Sequence, residues 1–141
     1  MNFHDFLNKY GTDTSTNIQL LQWAKELKIP NFHVIMKNEI ENLKGRKKNL
    51  YIICNYQSED ERGTHWIAMF KSKTKSFYFD SFGLPLLKEA QDFLKHGVYS
   101  TFELQKINQN FCGQLSLWVL HRLHARDDYY DIIFHLLNDL Q

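Results

Sequence analysis

Two strand-like runs separated by a short lysine-rich segment constrain the fold most strongly. Residues 66–70 and 76–80 are rich in β-branched and aromatic side chains, and residues 71–75 join them. This connection is long enough for an antiparallel hairpin and too short for a parallel crossover. His65 directly precedes the first strand and Asp80 ends the second. We therefore expect the His65 and Asp80 side chains to meet at the end of the hairpin away from the lysine-rich turn.

The rest of the chain mixes strand-like and helix-like patterns. The sequence predicts a central strand over 50–56, a short strand or an extended approach over 32–36 leading to a short helix at 39–43, and a fifth strand-like run over 98–102. Helical spacing of apolar residues predicts helices over 17–28, 84–95, from Cys112 to about 123, and 129–140, the first opened by a capping box of Thr16 and Gln19. These elements predict an α+β fold with a mixed, mainly antiparallel central sheet and helices on its faces.

Length and composition limit the organisation of the chain. A chain of 141 residues with 43% hydrophobic content is expected to form one core, so we predict a single domain over residues 1–141. The formal net charge of +1 argues against a dedicated nucleic-acid binder, and the basic clusters at 44–48 and 71–75 are predicted to be solvated turns. No apolar run suits a membrane span and the first residues do not resemble a signal peptide, so we expect an intracellular protein that is neither secreted nor membrane-spanning.

The two cysteines differ in their surroundings. Cys54 lies within an apolar strand-like run and is predicted to be a small buried hydrophobic residue. Cys112 begins a strongly apolar helix, where the positive end of the helix dipole favours a thiolate. His121 and His124 lie three residues apart on that helix, but no third ligand accompanies them, so no metal and no cofactor is expected.

One of the seven histidines, His65, combines a hairpin position beside an aspartate with a following tryptophan, Trp66. A carboxylate that orients an imidazole is the arrangement that acid–base catalysis requires. The remaining histidines with no partner motif are predicted to lie at the surface or the core edge: His4, His33, His96 and His135.

Four motifs, in the order His, Asp, Gln, Cys, resemble those of a known family. They are Gly63-Thr64-His65-Trp66, Phe79-Asp80-Ser81-Phe82-Gly83, Gln105 and Cys112-Gly113. The chain resembles the adenain-like cysteine proteases, which comprise the adenovirus maturation protease and relatives in viruses and virus-like transposons, and which share a clan with the SUMO-deconjugating proteases. The resemblance covers residues 50–123. Papain-like enzymes place Cys before His, so this order excludes them.

The resemblance implies catalytic roles for four residues. His65 would be the general base, Asp80 its orienting partner and Cys112 the nucleophile, in the fold that places this cysteine at the start of a buried helix. Gln105 would be the oxyanion donor beside the backbone N–H of Cys112. Gln109 is the alternative for that role, but it lies three residues before the nucleophile, whereas the seven-residue separation of Gln105 is similar to that of the family.

The same resemblance implies a substrate. The substrate would be an extended segment of a viral or transposon-encoded structural precursor with Gly at the cleavage site, inside a host cell or packaged in a virion. The predicted substrate-binding residues are Gly63, Thr64, Trp66 and Gly113, with the Trp66 indole closing a narrow channel that excludes side chains. Two alternatives stay open: deconjugation of a ubiquitin-like protein, and a non-catalytic interaction domain, against which the intact set of catalytic residues argues.

The chain also departs from the family. The adenovirus enzyme is markedly basic, uses DNA as a cofactor and carries an activating peptide linked through a further cysteine. Here the net charge is +1 and only two cysteines are present, so neither DNA nor a covalent activating peptide is expected. A non-covalent activating peptide stays open, and a monomer is expected. The compact segment between Gly83 and Gln105 predicts that the recognition insertions of SUMO proteases are missing.

Overall fold

The computed structural model describes residues 1–46, 48–57, 65–95, 97–100, 103–104 and 110–140. It confirms the predicted α+β class. In chain order the elements are α1 (Phe3–Tyr10), α2 (Asn17–Glu26), β1 (Phe32–Met36), a 3-10 helix (Lys37–Leu43), β2 (Leu50–Asn55), β3 (Trp66–Lys71), β4 (Ser76–Phe79), α3 (Lys88–Leu94), β5 (Val98–Tyr99), α4 (Cys112–His124) and α5 (Tyr129–Leu140).

The five strands form one mixed sheet in the order β1-β2-β3-β4-β5. The central pairs, β2 with β3 and β3 with β4, are antiparallel, and the outer pairs, β1 with β2 and β4 with β5, are parallel. Strands β3 and β4 form the predicted hairpin, in which Lys71 pairs with Ser76 and Ala68 with Phe79. The hairpin register brings the residues just outside its open end, His65 and Asp80, to the same edge of the sheet.

Alternation along β2 divides the interior into two layers. Tyr51 and Ile53 face a core shared with α1, α2, α4 and α5, whereas Ile52 and Cys54 face a second core shared with the 3-10 helix and α3. The sheet is therefore covered on both sides, which explains why every residue of β2 is buried. Helix α4 packs on β2 and β3, and its residues from Cys112 to Leu120 are all buried.

The first helix, α1, is an element that the sequence pattern does not predict. It is only eight residues long and half of its side chains are polar, but Phe3, Phe6 and Tyr10 are buried on one face. The Phe3 ring lies 5.7 Å from that of Trp118 on α4. The helical spacing of its three aromatic side chains is the sequence feature that could have predicted this helix. Packing on α4 supplies the stability that so short a helix lacks alone.

Two other helices are shorter than the sequence predicts. The predicted helix over 84–95 begins only at Lys88, because the carbonyl of Pro85 accepts a hydrogen bond from the Tyr56 hydroxyl at 2.8 Å and holds the preceding segment in an extended form. The predicted helix over 17–28 has its capping box at Thr16 but ends at Glu26, and Lys28 has a φ of 58° that ends the helical path. Of the predicted strand over 98–102, β5 covers Val98–Tyr99, and residues 101–102 lie outside the described residues.

Among the helices of the described residues, none combines the length and the apolar character that crossing a bilayer requires.

Candidate active site

The open end of the β3–β4 hairpin brings a histidine and a carboxylate into contact. Nε2 of His65 lies 2.7 Å from Oδ1 of Asp80, which confirms the predicted contact. Both side chains are buried, with 9% of the His65 side chain and 1% of the Asp80 side chain exposed. Because bulk water is largely excluded, this hydrogen bond fixes the orientation of the imidazole more firmly than an exposed pair could.

A tight turn after β4 orients the Asp80 carboxylate. The Phe82 N–H donates to Oδ1 of Asp80 at 2.9 Å, and the Gly83 N–H donates to the Asp80 carbonyl at 3.1 Å. Gly83 has a φ of 63°, a conformation that glycine adopts at little cost. The turn also places the Phe82 ring 4.5 Å from the His65 ring. No role for Phe82 was predicted, although an Asp followed two residues later by a turn donor is a known local signal.

Cys112 is the first residue of α4, as predicted, and lies in the same region. Only 3% of the residue is exposed. The backbone N–H of Trp66 donates to its Sγ atom at 3.4 Å. This donor and the positive end of the α4 dipole are both placed to interact favourably with negative charge on the sulfur. The contribution of the Trp66 N–H was not predicted, since no residue pattern reports which backbone amide approaches a side chain.

Opposing effects set the protonation of His65. Burial, the largest of them, lowers its pKa, but hydrogen bonds with Asp80 and Cys112 together with their charges outweigh it and raise the pKa to about 9. The imidazole therefore carries a proton at neutral pH. Since Nε2 is engaged with Asp80, Nδ1 is the ring nitrogen left for exchanging a proton with the Cys112 thiol. The arrangement places a protonated imidazole near the Cys112 sulfur.

The second cysteine lies in a different environment. Cys54 is fully buried in β2, and burial raises the pKa of its thiol further above the ordinary value. A neutral, inaccessible thiol is a poor nucleophile. The prediction that Cys54 is a small buried hydrophobic residue is confirmed.

The indole of Trp66 is anchored to the segment that precedes α2. Its Nε1–H donates to the Ser15 carbonyl at 3.0 Å. The buried amide of Gln114 in turn donates to the Asp13 carbonyl at 2.8 Å and accepts from the Ser15 hydroxyl at 3.4 Å. We call these contacts the α4 clamp, because they join residues 13–15 to the first turn of α4. Ser15 and Gln114 were not predicted, although a polar side chain at the third position of an apolar helix was a usable signal.

Gly113 has a packing role in the α4 clamp. A Cβ atom at this position would lie 3.3 Å from Cδ1 of Trp66 and from Cβ of Ser15, and would collide with the Ser15 hydroxyl. Only a residue without a side chain lets the 13–15 segment approach the helix so closely.

Beside Trp66 lies a cleft of about 530 Å³, which we call the Trp66 cleft. Its lining residues come from the segment before α2, from β1, and from the ends of the neighbouring elements: Thr14, Ser15, Thr16, Asn17, Val34, Ile35, Met36, Glu39, Asn55 and Trp66. Trp66 is itself 7% exposed. The indole therefore forms part of the cleft wall, and it is fixed there by its bond to Ser15.

Some of the predicted site residues lie outside the described part of the chain: Gly63, Thr64, Gln105 and Gln109. Their roles stay predictions. Among the described residues, no group of three or more His, Cys, Asp or Glu side chains is placed to hold a metal ion. His121 lies partly buried on α4, and burial lowers its pKa.

Comparisons with known proteins relate the fold of the chain to that of solved structures. No family model and no curated protein matches the sequence. Among solved structures, the ASFV pS273R protease matches with a TM-score of 0.63 at 16% sequence identity, over 88% of this chain and 63% of that one. The SUMO protease Ulp1, with its catalytic cysteine oxidised to a sulfonic acid, matches with a TM-score of 0.47 at 16% identity, over 87% of this chain and 78% of that one. The chain thus has the fold of the ASFV protease and spans less than two thirds of its length.

Proposed function

We propose that this protein is a cysteine endopeptidase with Cys112 as its nucleophile. The observation that carries the proposal is the convergence of three side chains from separate elements. His65 contacts Asp80 at 2.7 Å, and the Cys112 sulfur at the start of α4 lies 3.4 Å from the backbone nitrogen of Trp66, the residue that follows His65. A thiol, an imidazole and an orienting carboxylate form the constellation that nucleophilic catalysis by cysteine needs. The shared fold is consistent with this chemistry and does not by itself establish it.

Each group has a defined role in the proposed reaction. The Cys112 thiolate attacks the scissile carbonyl carbon, and the carbonyl oxygen becomes an oxyanion. The C–N bond then breaks as the His65 imidazolium gives its proton to the leaving amine, so that a thioester remains on Cys112. Neutral His65 next takes a proton from a water molecule, whose oxygen attacks the thioester carbon. The C–S bond then breaks, which releases the acid product and regenerates the Cys112 thiolate beside the His65 imidazolium. Asp80 keeps Nε2 occupied throughout and stabilises the imidazolium.

The developing oxyanion requires donors. The backbone N–H of Cys112, at the start of α4, is one candidate, and we propose the Gln105 side chain as the second. Loss of such a donor costs on the order of 2.7–4 kcal/mol in other hydrolases, so Gln105→Ala should lower kcat by about 10²–10³ with little change in KM. If Gln109→Ala produces that loss instead, the donor is Gln109.

We further propose that cleavage follows Gly, in an extended segment of a precursor polypeptide. The indole of Trp66 is held in place beside the nucleophile by its hydrogen bond to Ser15. Because this side chain cannot easily move aside, we expect it to disfavour a substrate residue that carries a Cβ atom. Overpacking a fitted site costs about 1–3 kcal/mol, which corresponds to about 10- to 100-fold discrimination between Gly and Ala.

A peptide library tests the proposal. Digestion by the wild-type protein, read by mass spectrometry, should give cuts after Gly with a small residue before it, and Cys112→Ala should give none. Trp66→Ala should accept larger residues at the cut. Cleavage after bulky or charged residues by the wild type would reject the Gly preference, and equal cleavage by Cys112→Ala would reject the protease itself.

A further inference from the structure

The Trp66 cleft has a defined position relative to the proposed reaction. His65 must hand its proton to the leaving amine, so the leaving half of the substrate lies on the imidazole side. Successive residues at the start of a strand point to opposite faces, and the Trp66 side chain accordingly points away from the His65 ring. The acyl half of the substrate is therefore directed along Trp66 and into the cleft.

The sheet register gives the length of this path. Met36 pairs with Asn55, and Asn55 pairs with Trp66, so the three residues lie side by side across the ends of β1, β2 and β3. With neighbouring strands about 4.8 Å apart, Met36 lies about 10 Å from Trp66, and an extended chain covers that distance in about three residues. The Trp66 N–H is already within 3.4 Å of the Cys112 sulfur.

At the far end of this path lies a carboxylate. Glu39, on the 3-10 helix, accepts the Met36 N–H on Oε1 at 2.9 Å, which holds the carboxylate at the end of β1. Its second oxygen is not needed for that bond. Among the described lining residues of the Trp66 cleft, Glu39 is the only charged one; the others are hydroxyl, amide and apolar side chains. An anion in a cleft with no lining cation favours a cationic ligand group.

We propose that Glu39 selects a cationic side chain, Lys or Arg, at the third or fourth residue before the scissile bond. This inference rests on the proposed protease function, because it assigns the polypeptide that the same site takes. It narrows the substrate class to extended segments with a basic residue upstream of a small residue at the cut. The interaction is an ion pair at a half-buried position. For such a pair we expect a kcat/KM about 5-fold higher with a basic residue than with an uncharged one.

Paired peptides test the inference. Two peptides are identical except for Lys or Met at the fourth residue before the cut, and a second pair varies the third residue. The wild-type protein should cleave the Lys peptide of one pair with a kcat/KM about 5-fold above that of its Met partner. Glu39→Gln keeps an oxygen for the Met36 N–H and removes the charge, so the preference should fall to about one without loss of the fold.

Glu41 provides the matched control. It belongs to the same 3-10 helix but lines a separate cavity with Lys44 and Asp92. Glu41→Gln should retain the wild-type preference for Lys. Equal cleavage of both peptides in each pair, or a preference unaffected by Glu39→Gln, would overturn the role of Glu39 while leaving the protease proposal intact. Cleavage of none of the four peptides, with no cut in the peptide library either, would overturn the protease proposal and this inference together.

Discussion

At the scale of single residues, the site depends on how one imidazole is surrounded. The His65 ring packs against the tilted ring of Phe82, is hydrogen-bonded to Asp80 and lies near Cys112, and it is almost fully removed from water. Burial alone would leave the ring neutral, which would give a thiol without an acid beside it. Asp80 and Cys112 reverse that effect, so the same ring can hold a proton for the leaving group and later act as a base.

The protonation of His65 can be measured by NMR titration. The ring should titrate with a midpoint of about 9, above the ordinary 6.5. Because the folded-state pKa is the higher one, protonation of His65 stabilises the folded protein fully below about pH 6.5, and this contribution is lost as the pH rises through about 9. The midpoint should fall in Cys112→Ala and fall in Asp80→Asn, since each removes a cause of the increase. A wild-type midpoint at or below 6.5 would contradict this assignment.

The two cysteines should differ sharply in reactivity. In the folded protein a small thiol-reactive electrophile at pH 6 should label Cys112 and leave Cys54 unlabelled, because Cys54 is fully buried with a raised pKa. Cys112→Ala should remove labelling and peptide cleavage without unfolding the chain. Cys54→Ala should retain both and serves as the control. Labelling of both cysteines at the same rate, in protein shown by circular dichroism to be folded, is the result that would exclude an activated Cys112.

At the scale of elements, the α4 clamp connects the nucleophile to a distant part of the chain. Gln114 bonds to Asp13 and Ser15, and Ser15 holds the indole of Trp66, whose backbone N–H reaches Cys112. The Ser116 hydroxyl adds a bond to the Trp66 carbonyl at 3.3 Å. The start of α4, the start of β3 and the segment before α2 are thereby held as one unit.

Removing the Gln114 amide tests the α4 clamp. Gln114→Ala leaves the Asp13 carbonyl and the Ser15 hydroxyl without their buried partner, which should cost about 1–3 kcal/mol of the free energy of unfolding. The 13–15 segment also forms a wall of the Trp66 cleft, so KM for an extended peptide should rise several-fold while the rate of Cys112 alkylation changes little. Gln22→Ala, at an exposed position on α2, should alter neither quantity. An unchanged stability and KM in Gln114→Ala would show that the clamp is not required.

The sequence predicts the elements better than it predicts their contacts. The contact of His65 with Asp80 follows from a hairpin that separates them by 15 positions, because local register determines it. The contact of Ser15 with Gln114 joins residues 99 positions apart, and no local pattern encodes the packing that creates it. The same reason applies to α1, whose three aromatic residues acquire their stability from α4. Gln105 and Gln109 could be ranked only by spacing, and the described residues do not include them.

At the scale of the whole molecule, the site forms at one edge of the sheet, where β3 begins, β4 ends and α4 begins. Helix α5 contacts the strand that leads to Asp80: the Tyr129 hydroxyl donates to the Tyr78 carbonyl of β4 at 2.7 Å, and the Tyr129 ring stacks on Phe77 at 4.6 Å. Asp80 follows two residues after Tyr78. The position of the carboxylate therefore depends on a strand that is held from both faces.

The variant Tyr129→Phe tests whether the Tyr129 hydroxyl contributes to stability without taking part in catalysis. The variant keeps the ring stacked on Phe77 and removes the buried hydroxyl. The Tyr78 carbonyl loses this donor but keeps the Ser100 N–H at 3.1 Å, so the free energy of unfolding should fall by about 0.5–1.5 kcal/mol. Chemical denaturation measures that loss. The kcat for a cleaved peptide should change less than about 3-fold well below the denaturation midpoint, since the β3–β4 pairing still holds Asp80 against His65. A large loss of kcat with unchanged stability would assign Tyr129 a direct role instead.

The central claim is that Cys112, activated by His65, is the nucleophile of peptide cleavage. It is tested most directly with a peptide that ends in Gly and carries an electrophilic carbon in place of the scissile carbonyl, followed by intact-mass measurement and tandem mass spectrometry of the adduct. We predict one adduct per chain, located on Cys112, absent in Cys112→Ala and formed much more slowly in His65→Ala. An adduct on Cys54, or adduct formation at an unchanged rate in His65→Ala, would contradict the claim.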